Sequence, residues 1–407
     1  MESIIKDKIV EHLHKFNLLN DSQHGFMKGK SCLTNLLEYL ENVTKVLDEG
    51  DPLDVIYLDF AKAFDKVPHK RLIKKLEAHG ISGNVSRWIK TWLKDRRQRV
   101  NINGKTSNWA DVLSGVPQGS VLGPLLFLIY INDIDDGIIS KIWKFADDTK
   151  ICKNIKNERD VEILRNDLEQ LYKWSEDWQM LFNLDKCVVI HMGNKNKKCL
   201  YELGGQKLKS VEQERDLGII VHSNGKTSEQ CNMAANKANQ ILGMIKRNIK
   251  WKDKNVITKL YKALVRPKLE YCVQAWCPQL KKDQEVLEKV QRRATKMIEG
   301  FRYKTYAERL HETGLTTLVQ RRKRGDLIET FKLVKGITKV DHETFFTINE
   351  NISRGNMYKF VKYRSRLNIR ASFFSQRVVN DWNKLPNDVV SADSVNAFKN
   401  RLDKIKF

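Results

Sequence analysis

The chain has 407 residues, with 73 lysine and arginine residues against 50 aspartate and glutamate residues, a formal net charge of +23. This excess favours an anionic partner, and nucleic acid is a better match than a membrane surface. The longest apolar run, Val121–Ile131, is interrupted by Gly123-Pro124 and is shorter than the roughly 20 residues of a membrane span. The composition therefore predicts a globular, nucleic-acid-binding protein and excludes a transmembrane one.

The N-terminus and the cysteines indicate the compartment. The first ten residues alternate charged and apolar side chains and lack the basic start and apolar centre of a secretory signal. The seven cysteines include no Cys-x-x-Cys pair, which suits a reducing compartment and gives no zinc-ligand spacing. We expect an intracellular protein, in the nucleus or the cytoplasm.

The first eighty residues predict helices around one buried strand. Apolar residues recur at helical spacing twice within residues 1–49, which predicts two helices. The apolar run Leu53–Asp59 then predicts a buried strand, and Pro68 begins a helix that stops at Gly80. Asp59 is therefore expected at the end of a strand that leads into a helix.

The next segments predict two hairpins. Asn103-Gly104 is a strong turn signal between the runs Arg99–Asn103 and Trp109–Leu113. A second hairpin is expected to turn at Asp147-Asp148, after the apolar, helix-like run from residue 121 to 131. The sequence thus alternates short strands with helices.

The remaining elements complete an α+β unit. Apolar residues at helical spacing predict an amphipathic helix over 161–181, followed by a strand, Val188–His191, and a hairpin at Gly204-Gly205. This arrangement predicts an antiparallel sheet covered by helices. Beyond Asn224-Gly225 the pattern is helical throughout.

Two carboxylate blocks are the most informative feature of the chain. Asp59 and the pair Asp147-Asp148 each end a short apolar run, so they could present hard oxygen ligands at adjacent strand ends, where carboxylates and substrate phosphates hold magnesium together. An isolated Asp-Asp pair is more often a turn or a helix cap. The order of the blocks, with the run from Ser114 to Ser120 between them, favours a polymerase site.

These blocks resemble the palm of reverse transcriptases, most closely those of non-LTR retrotransposons of the jockey and chicken-repeat type. The resemblance also includes the runs Gln23-His24-Gly25-Phe26, Phe182-Asn183-Leu184-Asp185-Lys186-Cys187, Asp216-Leu217-Gly218, Arg324-Gly325-Asp326-Leu327-Ile328 and Asp381-Trp382-Asn383-Lys384-Leu385-Pro386. It implies a right-hand polymerase fold of the α+β class, with a palm built on an antiparallel sheet.

The resemblance also implies a domain order. We expect partial fingers at 1–50, the palm at 51–225, a helical thumb-like region at 226–300 and a basic, helical C-terminal nucleic-acid-binding region at 301–407. The family's upstream fingers block and endonuclease are not found in this sequence, so the chain is expected to be an N-terminally truncated member.

The family's chemistry assigns roles to the carboxylates. By resemblance, Asp59 and Asp147 would bridge two Mg²⁺ ions, with Mn²⁺ as an alternative, and Asp148 would support one of them. Lys186 falls where the family places a lysine that protonates pyrophosphate, although a solvated lysine at a strand end is an almost equal alternative.

Other family positions are expected to bind the nucleotide. Phe64 would lie beneath the sugar and leave no room for a 2′-hydroxyl, with core packing as the alternative. Gln118 and Gly119 would lie against the incoming nucleotide and template. Where many relatives carry an arginine this chain has Met27, so Lys28 or Lys30 is expected to contact the triphosphate.

The C-terminal region has basic residues interleaved with aromatic ones. The residues from 351 to 380 include no acidic residue. The candidate nucleic-acid contacts there are Arg354, Lys359, Lys362, Arg364, Arg366 and Arg370. Pairing with phosphates and stacking on bases would suit single-stranded nucleic acid. A solvated face over an ordinary aromatic core is an equal alternative.

The sequence therefore predicts an RNA-directed DNA polymerase that adds dNTPs to a DNA primer on an RNA template. Two alternatives are open. One is a catalytically weak, nucleic-acid-binding remnant of such an element. The other, an RNA-dependent RNA polymerase, is disfavoured by Phe64 and by Ala146 ahead of the Asp pair, where viral RNA polymerases usually have glycine.

Overall fold

The computed structural model describes residues 1–349 and 356–405. They form two compact units, each assembled from two stretches of chain. Unit 1 comprises Met1–Ser31 and Pro52–Val211, and unit 2 comprises Cys32–Asp51 and Glu212–Phe407. The division into fingers, palm, thumb and C-terminal region stays a prediction.

Helices are the commonest elements in the described part of the chain. In chain order they are α1 Glu2–Lys15, α2 Cys32–Glu49, α3 Ala63–Lys66, α4 His69–Ala78, α5 Gly83–Leu93, α6 Gly123–Tyr130, α7 Glu158–Asp177, α8 Ser228–Asn248, α9 Lys254–Leu260, α10 Arg266–Glu270, α11 Val273–Trp276, α12 Lys281–Lys296, α13 Tyr306–Thr313, α14 Leu318–Val334, α15 Asn368–Ala371, α16 Phe374–Arg377, α17 Val379–Asn383, α18 Asn387–Val390 and α19 Val395–Leu402. Short 3₁₀ helices lie at Asn132–Asp135, Leu184–Lys186 and His342–Thr344, and a π-helical turn lies at Tyr261–Val265.

The strands are short apart from those of the central sheet. They are β1 Leu53–Leu58, β2 Arg97–Gln98, β3 Asn101–Ile102, β4 Lys105–Thr106, β5 Ala110–Asp111, β6 Lys141–Phe145, β7 Asp148–Asn154, β8 Val188–Met192, β9 Glu202–Leu203, β10 Gln206–Lys207, β11 Lys209–Ser210, β12 Gln213–Asp216 and β13 Ile219–His222.

Unit 1 is built on a five-stranded sheet of order β11-β8-β1-β7-β6. The central strand β1 is apolar apart from Asp54 and is almost wholly buried. It pairs antiparallel with β7 and β8, and β6 pairs antiparallel with β7. The predicted antiparallel sheet is confirmed for these four strands, whereas the edge strand β11 runs parallel to β8.

Helices of unit 1 bury their apolar stripes in one continuous core that includes residues of α1, α4, α5, α6 and α7. In α7 the buried residues Leu164, Leu168 and Leu171 recur at intervals of three and four, the spacing of one helix face. Asn157 begins this helix with a capping box to Asp160. The predicted helix over 161–181 is confirmed, although it begins earlier and ends at Asp177.

One charged network lies inside the sheet of unit 1. Asp54 is fully buried on β1, and its carboxylate accepts hydrogen bonds from His191 Nδ1 at 2.6 Å, Asn196 Nδ2 at 2.7 Å and Tyr201 Oη at 2.6 Å. A buried charge is tolerated when its oxygens are satisfied in this way. The network therefore fixes β1 against the segment that follows β8.

Unit 2 is mainly helical, with one hairpin formed by β12 and β13. Its core contains a stack of aromatic rings in which Phe360 lies 4.2 Å from Phe346 and 5.5 Å from Trp382, measured between centroids. A buried polar centre is formed by Gln291, which accepts from Tyr261 Oη at 2.7 Å and donates to Tyr306 Oη at 2.8 Å. The core of unit 2 is therefore held together by both aromatic packing and buried hydrogen bonds.

The short elements differ in part from the predicted ones. The turn at Asn103-Gly104 is confirmed, but its hairpin consists of two separate ladders, β3 with β4 and β2 with β5. Asp148 is not a turn residue, since it is the first residue of β7 and pairs with Phe145. No helix in the described residues is long and apolar enough to cross a membrane.

Candidate active site

Asp59 comes directly after β1 in unit 1, so the central strand of the sheet determines its position. Its carbonyl accepts a hydrogen bond from the Asn183 backbone N–H at 2.7 Å. The Lys186 ammonium lies 3.4 Å from its Oδ2, and the exposed fractions of the two side chains are 64% for Lys186 and 38% for Asp59. The Asp59 carboxylate is therefore fixed at its backbone and open to solvent and to cations.

Asp147 lies in the turn between β6 and β7, and the backbone of this turn is strained at the preceding residue. The preceding residue, Ala146, has φ +54°, a left-handed conformation that costs a non-glycine residue of order 1–3 kcal/mol. Gln23 stabilises the turn, because its Oε1 accepts from the Ala146 N–H at 2.8 Å. Gly25 makes room, since a Cβ there would lie 2.3 Å from the Ala146 nitrogen. The Gln23-His24-Gly25 run therefore supports the Asp147 turn.

A buried lysine fixes the strand that leads to this turn. Lys144 on β6 is fully buried and donates from Nζ to Asp135 Oδ1 at 2.7 Å and to the Asn132 carbonyl at 3.2 Å. Its backbone N–H donates to the Ser22 carbonyl at 2.8 Å. Sequence reasoning missed these supporting residues, although a lysine within an apolar strand signals a buried acidic partner.

The electrostatics connect the two carboxylates. Burial raises the pKa of the Asp147 carboxyl, and the negative charge of Asp59 raises it further. Like charges gathered in a partly buried place are typical of cation and catalytic sites. Asp148 is exposed at the start of β7. In residues 1–349 and 356–405 no group of three His, Cys, Asp or Glu side chains is placed to hold a metal ion, and the electrostatic contact described here joins Asp59 to Asp147.

A loop from 114 to 119 packs on the turn that follows β1, where it contacts residues 64–67. The Val116 N–H donates to the Phe64 carbonyl at 2.8 Å, and Gln118 Nε2 donates to Asp65 Oδ1 at 3.0 Å. Gly115, with φ +92°, permits this approach because a Cβ there would lie 2.8 Å from the Asp65 Cα. The predicted residues Phe64 and Gln118 are therefore brought together.

Phe64 is half-buried, and its ring stacks on Phe127 of α6 with 4.3 Å between centroids. Gly119 is exposed with φ +81°, and nothing lies within 4 Å of the place where its Cβ would be. The Phe64 ring is therefore fixed in place and partly accessible, and Gly119 leaves its backbone open to close approach.

Residues 1–244 of the chain match the family model described as reverse transcriptase (RNA-dependent DNA polymerase). The chain belongs to the reverse transcriptase family. The sequence-based resemblance is confirmed, and the three carboxylates lie within the matched residues.

Curated relatives of this family member include two proteins from mobile elements of Drosophila melanogaster. The chain is 24% identical over 336 residues to the probable RNA-directed DNA polymerase from transposon BS, covering 76% of this chain and 36% of that protein. It is 26% identical over 227 residues to the RNA-directed DNA polymerase from mobile element jockey, covering 52% and 24%. The chain thus spans about a quarter to a third of the length of these relatives.

Solved structures similar to this chain include telomerases. Apo telomerase from Candida tropicalis has a TM-score of 0.45 and 10% identity, covering 77% of this chain and 54% of that one. Telomerase from Candida albicans, in complex with a TWJ fragment of telomeric RNA, has a TM-score of 0.41 and 12% identity, covering 74% and 56%.

The two candidate triphosphate lysines of this reverse transcriptase differ in environment. Lys30 donates from Nζ to the Asp21 carbonyl at 2.6 Å, and only 8% of its side chain is exposed. Lys28 is exposed. Lys28 is therefore the one whose ammonium is accessible to a ligand.

The basic C-terminal candidates lie in unit 2 and are largely used inside it. Arg370 is buried and donates to Glu41 Oε1 at 2.6 Å and to Thr44 at 3.2 Å. Arg366 donates to the Leu47 carbonyl at 3.3 Å, and Lys362 donates to the Gln376 carbonyl.

The remaining candidates of this stretch differ in exposure. Arg364 is exposed and Lys359 is half-buried, while Arg354 lies outside the described residues. The aromatic residues Phe360, Phe373 and Phe374 are all buried. For these rings the alternative of an ordinary aromatic core is the one observed.

Proposed function

We propose that this chain is the RNA-directed DNA polymerase of a non-LTR retrotransposon, adding dNTPs to the 3′-hydroxyl of a primer on an RNA template. The observation that carries the proposal is the electrostatic proximity of Asp59 and Asp147 within the residues that match the reverse transcriptase model. Phosphoryl transfer needs positioning and charge stabilisation more than covalent chemistry. Two neighbouring carboxylates would supply a fixed position for the metal ions that such a transfer uses.

The donor set of the site fits divalent metal ions. Magnesium is commonly held by one or two carboxylates together with substrate phosphates, so Asp59 and Asp147 are a sufficient protein contribution, with Asp148 supporting it. Two Mg²⁺ ions bound there would lower the pKa of the primer hydroxyl and neutralise the triphosphate. The raised pKa of Asp147 supports this proposal, because its carboxylate gains from a nearby cation.

Phe64 would select the sugar of the nucleotide. Its ring is held by stacking on Phe127, so it cannot easily turn away from a ligand above it. A 2′-hydroxyl would meet the ring, whereas a deoxyribose would not. Gln118 and Gly119 would lie against the nucleotide and the template, with the open side of Gly119 allowing close approach.

Lysines would act on the phosphates. Lys186, which already lies 3.4 Å from Asp59, would donate a proton to the leaving pyrophosphate as a general acid. Lys28 would contact the triphosphate, with Lys30 holding the loop through Asp21. Among the described C-terminal candidates, the exposed Arg364 would contact phosphates, whereas Lys362, Arg366 and Arg370 already bond within unit 2.

Primer extension on an RNA template tests the proposal. With Mg²⁺ and dNTPs the 407-residue chain is expected to make DNA, and Asp147→Asn is expected to abolish synthesis while RNA binding persists. Asp59→Asn is expected to have the same effect as Asp147→Asn, because each substitution removes a proposed metal-binding carboxylate without changing the side-chain volume. Binding without extension by the unchanged chain would instead support a nucleic-acid-binding remnant, and RNA product from rNTPs would support an RNA polymerase.

Two further readouts test individual assignments. Mg²⁺ is expected to raise the melting temperature of the unchanged chain and not that of Asp59→Asn/Asp147→Asn, since only ligands that bind the folded state stabilise it. Phe64→Ala is expected to raise the use of rNTPs relative to dNTPs. An unchanged ratio would make Phe64 a core residue only.

A further inference from the structure

A hairpin from 96 to 112 in unit 1 has no part in the site described above. Its inner ladder joins Asn101 to Thr106 and its outer ladder joins Arg97 to Asp111. Outside these ladders the Ser107 N–H donates to the Val100 carbonyl at 2.9 Å. Thus the hairpin is held by its own backbone.

This hairpin has no core of its own. Every residue from 97 to 111 is exposed. Its apolar side chains are also exposed, by 61% at Val100, 66% at Ile102 and 57% at Trp109. An isolated two-stranded hairpin is marginally stable in water, and clustered exposed apolar residues usually indicate an interaction surface. The hairpin therefore has the character of an element that is completed by a partner.

The charges on the hairpin indicate the kind of partner. Residues 94–111 contain five lysines and arginines and two aspartates, a net charge of +3. The Arg99 guanidinium lies 4.6 Å from the centroid of the Trp109 ring, and Arg96 lies 5.4 Å from that of Trp92. Within the described residues, Arg96, Arg99 and Lys105 have no carboxylate partner, whereas Arg97 pairs with Asp111 at 3.0 Å.

We infer that this hairpin is a binding site for single-stranded nucleic acid, separate from the Asp59 and Asp147 site. A ligand must offer negative charge to Arg99 and Lys105 and a flat apolar surface to Trp109. Unpaired bases on a phosphate backbone offer both, whereas the bases of a duplex are stacked away from a protein ring. The inference deepens the proposed function, on which it rests for the identity of the strand as template RNA.

A neighbouring cleft gives independent support for a nucleic-acid site on the hairpin. The chain leaves the hairpin at Leu113, which is 85% exposed, and Leu113 and Ser114 line a cleft of about 860 Å³. The basic residues lining the cleft are Lys66, His69, Lys70 and Arg71, against one acidic residue, Glu176. A strand held on the hairpin can therefore continue along positive charge towards the Gln118 loop.

Fluorescence anisotropy with a labelled, unstructured RNA 20-mer tests the site on the full 407-residue chain. Trp109→Ala is expected to weaken binding on the order of tenfold, the effect of losing one stacked base. Arg99→Ala/Lys105→Ala is expected to reduce the slope of log K against log salt by about 1.4, which is about 0.7 for each lost phosphate contact with a single strand. A matched control, Lys195→Ala/Leu200→Ala, removes one exposed charge and one exposed apolar side chain elsewhere in unit 1 and should change neither.

Other probes separate the outcomes. A DNA 20-mer of the same sequence shows whether the site prefers RNA or takes either strand, and both results support a single-strand site. An equal loss of affinity for a blunt duplex by Trp109→Ala would overturn the inference, as would unchanged affinity and salt slope for RNA. Because the assay measures binding without dNTPs, it stands even if the unchanged chain fails to extend a primer.

Discussion

Two stretches of this chain look alike in sequence and differ in structure. The hairpin 94–111 and the C-terminal stretch 356–377 both mix lysine and arginine with aromatic side chains. In the hairpin, Arg99 and Trp109 lie on the surface. In the C-terminal stretch, Phe360 is buried between other rings and Arg370 bonds to Glu41.

The difference shows what decides the role of a basic, aromatic segment. Arg370 acts within unit 2 because α2 brings Glu41 to it, although more than three hundred residues separate the two in sequence. No carboxylate in the described part of the chain meets Arg99. A cation paired inside the fold is occupied by its carboxylate, whereas one left exposed attracts an anionic partner.

The largest expected effect tests the aromatic half of this comparison. Phe360→Ala should lower the free energy of unfolding by about 3–5 kcal/mol, because it leaves a cavity between Phe346 and Trp382. Trp109→Ala should change it by no more than about 0.5 kcal/mol, as surface substitutions do. Urea unfolding monitored by circular dichroism measures both. Equal losses would show that the hairpin ring is also structural.

The charged half of the comparison predicts a loss of about 3 kcal/mol or more in the free energy of unfolding. Arg370→Ala leaves the Glu41 carboxylate buried without its cation, which is the costly way to break a buried pair. Arg99→Ala should leave stability nearly unchanged and weaken RNA binding instead. As a control, Arg370→Met/Glu41→Leu should recover most of the loss, since a buried pair replaced by apolar residues is often neutral. If Arg370→Ala unfolds at the same urea concentration as the unchanged chain, the claim that Arg370 is needed by the fold is contradicted.

Asp147 is a third kind of charge, partly buried and near a like charge. Its pKa in the folded protein is raised, so its ionised form disfavours folding, and stability is lost as the pH rises through the folded pKa. In buffer with a chelator, Asp147→Asn should therefore unfold at a higher temperature than the unchanged chain at neutral pH. The gap should close as the pH falls below the ordinary pKa of aspartate, where the Asp147 carboxyl is protonated in both the folded and the unfolded protein. If Asp147→Asn is less stable than the unchanged chain at pH 7, the claim that the ionised Asp147 carboxylate disfavours folding is contradicted.

The smallest expected effect concerns the exposed remainder of the C-terminal stretch. Arg364→Ala should reduce the salt slope of RNA binding by about 0.7, without changing the melting temperature. Arg370→Lys is the comparison variant, because it keeps the charge of a residue already used within unit 2. If Arg364→Ala leaves the slope unchanged, the whole stretch serves the fold and the hairpin carries the binding.

Much of the active site could be predicted from short sequence blocks. Asp59 follows an apolar run and Asp147 follows another, and the strand period places such residues at neighbouring strand ends. The neighbourhood of Phe64 and Gln118 followed from their motifs. The buried support of the Asp147 turn did not, because Gln23, Lys144 and Asp135 are joined only by the parallel approach of the Ser22–Gly25 segment to β6.

The sequence by itself determined the family, the order of the main helices and strands, and the residues with chemistry to offer, since each depends on patterns a few residues long. Only the tertiary structure decided which charges are neutralised and which rings are buried. Those outcomes depend on partners distant in sequence, such as Glu41 for Arg370, and no local pattern encodes where the chain brings them together. The same residue types therefore stabilise the fold at Arg370 and remain open to a ligand at Arg99.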